Sequence, residues 1–283
     1  MVMRMPLPPA SAAPRPSLGI RWTIGDVSPR GFEALRLSLW GAWRLFGVAA
    51  RYAVVVNSVD LQEVLRRTGP VPDAVAWHPA HGLPAALAGR LDAGMAEGVA
   101  WKFAPPRLFS DLAELSLDND LILWDRPEAL RAWLDDPAGG PFVLAEDVVP
   151  AFGRFAPWCG PEPRNLGIRG LPAGFDLAAA LAALLDAVPG PLTSELDEQG
   201  LQVAALQRAG ACRTVALDEV SVCSPFWPHR AELGRCGAHF VGLNARHIPW
   251  SYHDRPATEV RIEHWEAHRP VLYRLVGLDA PAV

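Results

Sequence analysis

The feature that most constrains this chain is the stretch Glu114-Leu115-Ser116-Leu117-Asp118-Asn119-Asp120-Leu121-Ile122-Leu123-Trp124. Two carboxylates, two positions apart, have apolar residues hard against both ends. The run leading into them suits a strand, and strand side chains two apart share a face. Asp118 and Asp120 therefore fall at the C-terminal edge of a buried strand, which is where open α/β sheets bind ligands. Acids this close repel unless a cation lies between them, and hard oxygen ligands suit Mg²⁺ or Mn²⁺. Asp-Asn-Asp is equally good turn composition, so these residues alone leave metal site and turn both open.

The chain before this stretch alternates strand and helix patterns. Ile20-Arg21-Trp22-Thr23-Ile24 alternates and stops at Gly25-Asp26, as a first strand does. Residues 32–46 carry apolar side chains at helical spacing, closed by Gly47. Tyr52-Ala53-Val54-Val55-Val56-Asn57 is a β-branched run of the kind buried on both faces of a parallel sheet. A helix over 61–67 stops at Gly69-Pro70, and Ala74-Val75-Ala76-Trp77 is a weaker strand. This alternation opens a doubly wound α/β domain. Beyond the acids, the pattern predicts a helix over 127–134 and a strand over 142–145. Residues 150–174, rich in Pro, Gly and aromatics, read as loops. Helices follow over 176–187 and 196–208, then short strands and turns, with a strand and terminal helix over 260–275. The expected organisation is a disordered tail at 1–17 and one domain over 18–283. Within it, 18–150 form a nucleotide-binding half and 151–283 a loop-rich, acceptor-shaping half.

Composition narrows the function classes. A formal net charge of −5 argues against a nucleic-acid binder, which needs a basic face. The longest apolar run, residues 177–185, is about half the length that spans a bilayer, so no integral membrane segment is expected. Cys159, Cys212, Cys223 and Cys236 are scattered without zinc or redox spacing, which points to reduced thiols in a cytoplasmic protein. There is no P-loop, nucleophile elbow or dinucleotide fingerprint. His264-Trp265-Glu266-Ala267-His268 has two histidines one helical turn apart, a zinc-binding spacing. Its glutamate is not where a metalloprotease needs it, and the segment reads as surface.

Four more pieces accompany the acids in order: Trp101-Lys102-Phe103-Ala104-Pro105-Pro106-Arg107-Leu108 before them, then Asn165-Leu166-Gly167-Ile168, Leu196-Asp197-Glu198-Gln199-Gly200 and His239-Phe240-Val241-Gly242. With these pieces the chain resembles the GT-A glycosyltransferases, and more narrowly the glycogenin-type family 8. The triplet stands for that family's Asp-x-Asp motif, and the Lys102 segment for the basic segment before it. Asn165-Leu166-Gly167 is similar to an Asn-Ser-Gly motif, with Leu166 for Ser. Glu198-Gln199 is similar to an Asp-Gln pair, and His239-Phe240-Val241-Gly242 to a His-Phe-x-Gly motif. The family's Lys-Pro-Trp corresponds to Ile248-Pro249-Trp250, which lacks the basic residue.

The resemblance implies a metal-dependent transferase moving a sugar from a nucleoside-diphosphate donor to an unknown glycan or lipid-linked acceptor, with retention at the anomeric carbon. It implies Mn²⁺ (or Mg²⁺) held by Asp118, Asp120 and His239. Asp120 would be the direct ligand and Asp118 would turn toward the ribose or a metal water. Donor contacts would come from Lys102, Asp118, Asn119, Asn165 and Gly167, and from Thr23 and Gly25 at the end of the first strand. Glu198 and Gln199 would face the anomeric carbon, and in an inverting reaction Asp197 or Glu198 would be the general base. Each has a structural alternative. His239 could be a core histidine, Lys102 a surface charge, Asn165 an Asx turn, and Glu198-Gln199 first-turn residues behind a Ser194 cap. Two other functions stay open: a sugar-phosphate nucleotidyltransferase, whose Gly-rich basic loop the 25–31 segment faintly echoes, and a GT-A domain that binds nucleotide sugar or a partner without turnover.

Overall fold

The computed structural model of the chain describes residues 17–80, 82–85, 87–90, 101–136 and 140–280. The tail expected over 1–17 lies, Ser17 apart, outside the described residues. The first three strands are β1 (Leu18–Ile24), β2 (Ala50–Val56) and β3 (Val75–Pro79). The helices between them are α1 (Pro29–Phe46) and α2 (Leu61–Thr68). Local chemistry sets these boundaries. The Ser28 hydroxyl accepts from Gly31 N ahead of α1, and Asp60 accepts from Gln62 N and Glu63 N ahead of α2, each satisfying otherwise unpaired first-turn donors. Gly47 and Gly69, both at positive φ, end the two helices.

The main sheet has seven strands in the order β3-β2-β1-β4-β7-β6-β8, with β4 at Ala113–Leu117, β6 at Phe142–Glu146, β7 at Arg164–Leu171 and β8 at Cys212–Val215. β1, β2, β3 and β4 run parallel, so their C-terminal ends share one edge. β7 is antiparallel to both β4 and β6. The sheet is thus mixed, and it draws strands from both sides of residue 150. Trp22 and Ile24 of β1 pack with Phe32, Leu35 and Leu39 of α1 in one core cluster. The opposite side is covered by α4 (Leu177–Ala187), capped by Asp176, and α5 (Glu195–Ala209), capped by Ser194, around Phe155, Leu171 and Leu201.

β7 corrects the loop expected over 150–174. Its burial is nearly continuous, yet Gly167 and Gly170 interrupt the apolar pattern. Glycine inside a strand marks a close approach of neighbours. A Cβ on Gly170 would lie 2.9 Å from Val143 Cβ, and one on Gly167 would lie 2.5 Å from His239 Nδ1. The glycines look like loop composition but are imposed by packing between strands.

A second sheet, β5-β10-β9, is built from β5 (Leu121–Leu123), β9 (Val220–Val222) and β10 (Gly237–His239). α3 (Glu128–Leu134) follows β5. β11 (Ser251–Tyr252) and β12 (Arg255–Pro256) form a small hairpin before α6 (Ala257–Val276). α6 is one helix of 20 residues, which corrects the strand and helix expected over 260–275. Ala257, Arg261, Trp265, Leu272 and Val276 of α6 are buried at helical spacing. The alternation seen in the sequence is a local accident of residues around Pro270, which the helix contains.

α1 lies close beneath β5. Trp22 Nε1 donates to Ser38 Oγ at 2.8 Å, and Ser38 Oγ donates on to Leu121 O at 2.5 Å. Gly41 gives the room, since its Cβ would stand 2.2 Å from Leu123 O. In a helix Ala is favoured over Gly by about 1 kcal/mol, but this clash is with backbone that cannot rotate away. Overpacking costs about 1–3 kcal/mol, so Gly41→Ala is expected to lower the denaturant midpoint despite its better propensity. An unchanged or raised midpoint would show that α1 does not hold β5 in this way.

Candidate functional site

The acidic triplet is a turn that also gathers side chains able to ligate a metal. β4 ends at Leu117, and Asp118 N makes a further rung to Gly167 O at 3.0 Å. The chain then turns, with Leu121 N donating to Asp118 O at 3.1 Å, and leaves the main sheet for the second one. There Leu121 pairs with His239 across β5 and β10, and Phe240 N donates to Asp120 O at 2.9 Å. A straight strand would hold the two carboxylates on one face but two residues' rise apart. The turn instead brings both to one imidazole: His239 Nε2 is 3.5 Å from Asp118 Oδ2 and 3.4 Å from Asp120 Oδ1. The three residues offer ligand atoms within 4.8 Å of one another.

Positive charge balances the acids. Lys102 Nζ lies 2.9 Å from Asp118 Oδ1 and 3.1 Å from Oδ2. Burial works against the ammonium, but Asp118, Glu198 and Asp120 outweigh it and raise its pKa. Burial also opposes a charged His239, and the hydrogen bond and charge of Asp120, with Asp118, reverse that effect and raise it. Two carboxylates and a neutral-capable imidazole form a donor set that fits a divalent cation such as Mn²⁺ or Mg²⁺.

The loop carrying Lys102 has only a short 3₁₀ turn of its own and is held by buried charges. Arg21 Nη1 donates to Pro105 O at 2.6 Å, and Arg169 Nη2 donates to Pro106 O at 3.2 Å. Glu114 Oε2 accepts from Leu108 N and Phe109 N at 2.6 and 2.7 Å. Arg21, Glu114 and Arg169 are all buried, and Arg169 stands 3.8 Å from Glu114. The same Arg169 donates to Gln202, which donates to Glu198. Burial, with Asp118 adding to it against Lys102 and Arg169, pushes the Glu198 carboxyl up to about 7.

The other expected site residues are placed as follows. Asn165 is in strand β7, where the register slips opposite Leu144 and Ala145. Its Oδ1 accepts from Gly167 N at 2.6 Å and its Nδ2 donates to Asp147 at 3.1 Å. The Asx-type bond expected of a loop therefore serves a bulge inside a sheet. Asn119 points away from the acids and forms a reciprocal amide pair with Asn244, at 2.6 and 3.0 Å, besides donating to Gly31 O. Asp197 is buried on backbone donors: Oδ1 accepts from Arg154 N, and Oδ2 from Thr193 N, each at 2.8 Å. Burial opposes this charge, but those N–H groups hold its carboxyl below the usual range. Asp197 thus secures the turn into α5, a different place from the catalytic one expected. Gln199 Nε2 donates to Ala151 O at 3.0 Å. Thr23 Oγ1 accepts from Arg21 at 3.1 Å, and a Cβ on Gly25 would lie 2.7 Å from Asn57 Oδ1.

Several residues escaped the sequence reading. Asn244 Nδ2 donates to Asp120 Oδ2 at 3.1 Å, fixing that carboxylate from the far side of the His239 strand. Nothing in the sequence separates it from an ordinary loop asparagine. Asn57 is buried at the end of β2 beside Gly25, and its Nδ2 has no hydrogen-bond partner among the described residues. Arg169 and Gln202 link Glu114 to Glu198 and are visible only as buried polar residues once the fold is known.

No protein-family model matches the chain, and no curated protein matches it. Its fold matches the galactosyltransferase LgtC in complex with donor and acceptor sugar analogues, at TM-score 0.54 and 13% identity over 94% of this chain and 97% of that one. An active-site glutamine-to-glutamate mutant of LgtC matches at TM-score 0.52 and 12% identity, over 91% and 99% of the two chains. The bifunctional glycosyltransferase WbbM in its apo form matches at TM-score 0.52 and 15% identity over 94% of this chain and 53% of that one. The chain has the GT-A glycosyltransferase fold. In GT-A terms the seven-stranded sheet is the central mixed sheet, and the acid cluster stands at the C-terminal end of its strand β4. Among the described residues, no helix is long and apolar enough to cross a membrane. Of the tryptophans in the second half, Trp265 is core, whereas Trp158, Trp227 and Trp250 are exposed.

The raised acid predicts a pH signature. Glu198 keeps its proton in the folded chain from its ordinary value near 4.5 up to about 7, a window where the unfolded chain has lost it. Folding stability then falls as pH rises through that window. His239, also raised, contributes stability below its ordinary value that is lost as pH climbs past its folded one, in the same direction. The metal-free protein is expected to melt lower at pH 8 than at pH 5.5, with Glu198 accounting for about 2 kcal/mol at most. Glu198→Gln should remove most of that slope, and an equal slope in the variant would place Glu198 outside the charged cluster.

Proposed function

We propose that the chain is a metal-dependent glycosyltransferase moving a sugar from a nucleoside-diphosphate donor to a glycan or lipid-linked acceptor. The observation that carries this reading is the convergence of Asp118, Asp120 and His239 at the C-terminal end of β4 in a GT-A sheet. Asp118, Asp120 and His239 are the residues that would hold Mn²⁺ or Mg²⁺. Such an ion, when bound, acts as a Lewis acid that offsets the negative charge growing on a departing diphosphate. Lys102 supplies a point charge to the same phosphates and can exchange its Asp118 contact for one. Gly167, without a side chain, lets the His239 imidazole pack directly against the β7 backbone and so reach the acids. Thr23, Gly25 and the Asn57 Nδ2, which has no hydrogen-bond partner among the described residues, line the same sheet edge as candidates for the nucleoside. The cytoplasmic setting expected from the scattered cysteines belongs to the same proposal.

Glu198 is the acid–base candidate, because its carboxyl titrates near neutrality beside Lys102 and Asp118. Asp197, committed to backbone donors, is set aside in that role. In a retaining reaction Glu198 and Gln199 stabilise positive charge at the anomeric carbon. In an inverting one Glu198 takes the proton of the acceptor hydroxyl. Anomeric configuration of the first-formed product, read by NMR, is expected to show retention; inversion would transfer the base role to Glu198 and remove the likeness to family 8 in mechanism.

A second reading, binding without turnover, is favoured by Asn165, whose amide is spent on Asp147 and Gly167 rather than left for sugar hydroxyls. Thermal shift and hydrolysis assays across a panel of nucleotide sugars separate the two. Transfer predicts Mn²⁺-dependent stabilisation by one donor together with slow hydrolysis of it. At 100 times Kd the stabilisation is about 2.7 kcal/mol. Stabilisation without hydrolysis supports the second reading, and neither effect with any donor overturns both. Asp120→Ala is expected to abolish the Mn²⁺ dependence, and a variant that keeps it would take Asp120 out of the site.

A further inference from the structure

Away from the acids the structure gathers a second set of metal-ligating side chains with different chemistry. Cys223, His264 and His268 each offer one ligand atom, all within 4.8 Å of one another. The histidines are four residues apart on α6, so they stand on one face of the helix, with ring centroids 4.7 Å apart. Cys223 follows β9 directly and is buried, and its Sγ is 3.9 Å from His264 Nε2. Both Nε2 atoms lie 2.8 Å from a single oxygen, the carbonyl of Ala231 in the loop between β9 and β10.

We propose that Cys223, His264 and His268 form a structural zinc site, closed by the Ala231 carbonyl oxygen. Three side chains and one carbonyl supply the four positions of a tetrahedral ion. Zinc bonds of about 2.0–2.1 Å to nitrogen and 2.3 Å to sulfur set ligand atoms about 3.5 Å apart. Small movements must therefore close the 3.9 Å between Cys223 and His264 and open the two 2.8 Å contacts to Ala231 O, while the 3.6 Å from Cys223 Sγ to that oxygen already fits. A thiolate with two imidazoles selects zinc, whereas the carboxylate-rich Asp118 cluster suits harder ions. On binding, the Cys223 thiol gives its proton to solvent as the sulfur–zinc bond forms, and nothing is oxidised or reduced. The ion ties α6, the end of β9 and the 224–236 loop into one body. It does so close behind the acid cluster, because Cys223 N donates to His239 O at 2.7 Å and the Phe240 ring packs near both site histidines.

The metal-free competitor is a hydrogen-bond hub, in which both imidazoles donate to the two lone pairs of Ala231 O. Titration of cobalt(II) into the chelator-stripped full chain, read by absorption, decides between them. A thiolate ligand gives a sulfur-to-cobalt charge-transfer band, which the sulfur-free Asp118, Asp120 and His239 cluster does not produce. The expected result is a band that zinc displaces, that persists in Asp120→Ala and that disappears in Cys223→Ser. Should Cys223→Ser fail to fold, His268→Ala, at a half-buried position, is expected to weaken zinc by more than the roughly 10- to 100-fold typical of outer-shell losses, measured by competition with a chelator. The site is overturned by the absence of a band in the wild-type chain, by a band that survives Cys223→Ser, or by unchanged zinc affinity in His268→Ala.

Discussion

Two like charges held at one point dictate much of what surrounds them. Asp118 and Asp120 meet within a ligand's diameter at the end of β4, where unit charges about 4 Å apart repel by about 4 kcal/mol at the effective dielectric of a protein surface. Lys102, His239 and the Asn244 amide each answer one part of that repulsion. Each must then be positioned in turn. His239 needs β10 to lie beside the turn, which needs Gly167 to have no side chain. Asn244 needs the clasp with Asn119, and that clasp anchors the start of α1 through Gly31. The Asn119–Asn244 pair, which joins residues 125 positions apart, is thus a consequence of one crowded pair of acids.

Lys102 shows how far the constraint spreads. It rides on a segment with little regular structure, between residues outside the described set and β4. A loop of that kind would ordinarily be placed by apolar packing. Here Phe103 and Ala104 are buried, but the backbone beyond them is fixed by Arg21, Glu114 and Arg169, three charged side chains inside the sheet. Buried charge survives only when paired and hydrogen-bonded. Glu114 offsets the charges of Arg169 and Arg21, and all three grip carbonyl or amide groups of the loop, while Arg21 Nε, Glu114 Oε1 and Arg169 Nε have no hydrogen-bond partner among the described residues. Arg169 continues through Gln202 to Glu198, so the same network sets the environment of the candidate acid–base group.

The parts legible in the sequence were those where local pattern and final contact coincide. β1, β2 and β4 are apolar because both of their faces are covered, and α1 and α2 carry their own caps. Asp118, Asp120 and His239 could be picked out as metal-type residues, although the turn that unites them looked like an alternative to the site when it is the means of making it. β7 was illegible because its two glycines answer to Val143 and His239, residues far away in sequence. α6 was misread because Pro270 and a stretch of mixed polarity hide a helix buried at Trp265 and Leu272. Asp197 looked like a site acid because it neighbours Glu198, yet its side chain turns back to Thr193 and Arg154. Asn244 carried no signal at all, since its partner lies across the fold.

The turn after β4 also divides the cluster between two bodies. Asp118 adjoins the seven-stranded sheet through its bond to Gly167 O, while Asp120 adjoins the three-stranded one through Phe240 N and His239 belongs to it. Whatever grips all three residues therefore rivets one sheet to the other. Occupancy becomes a mechanical quantity: the free energy of ligation resists shear between the sheets, and any rocking of the small sheet relaxes the grip. The edge proposed to hold the donor would then double as the joint whose stiffness reports whether the donor is there.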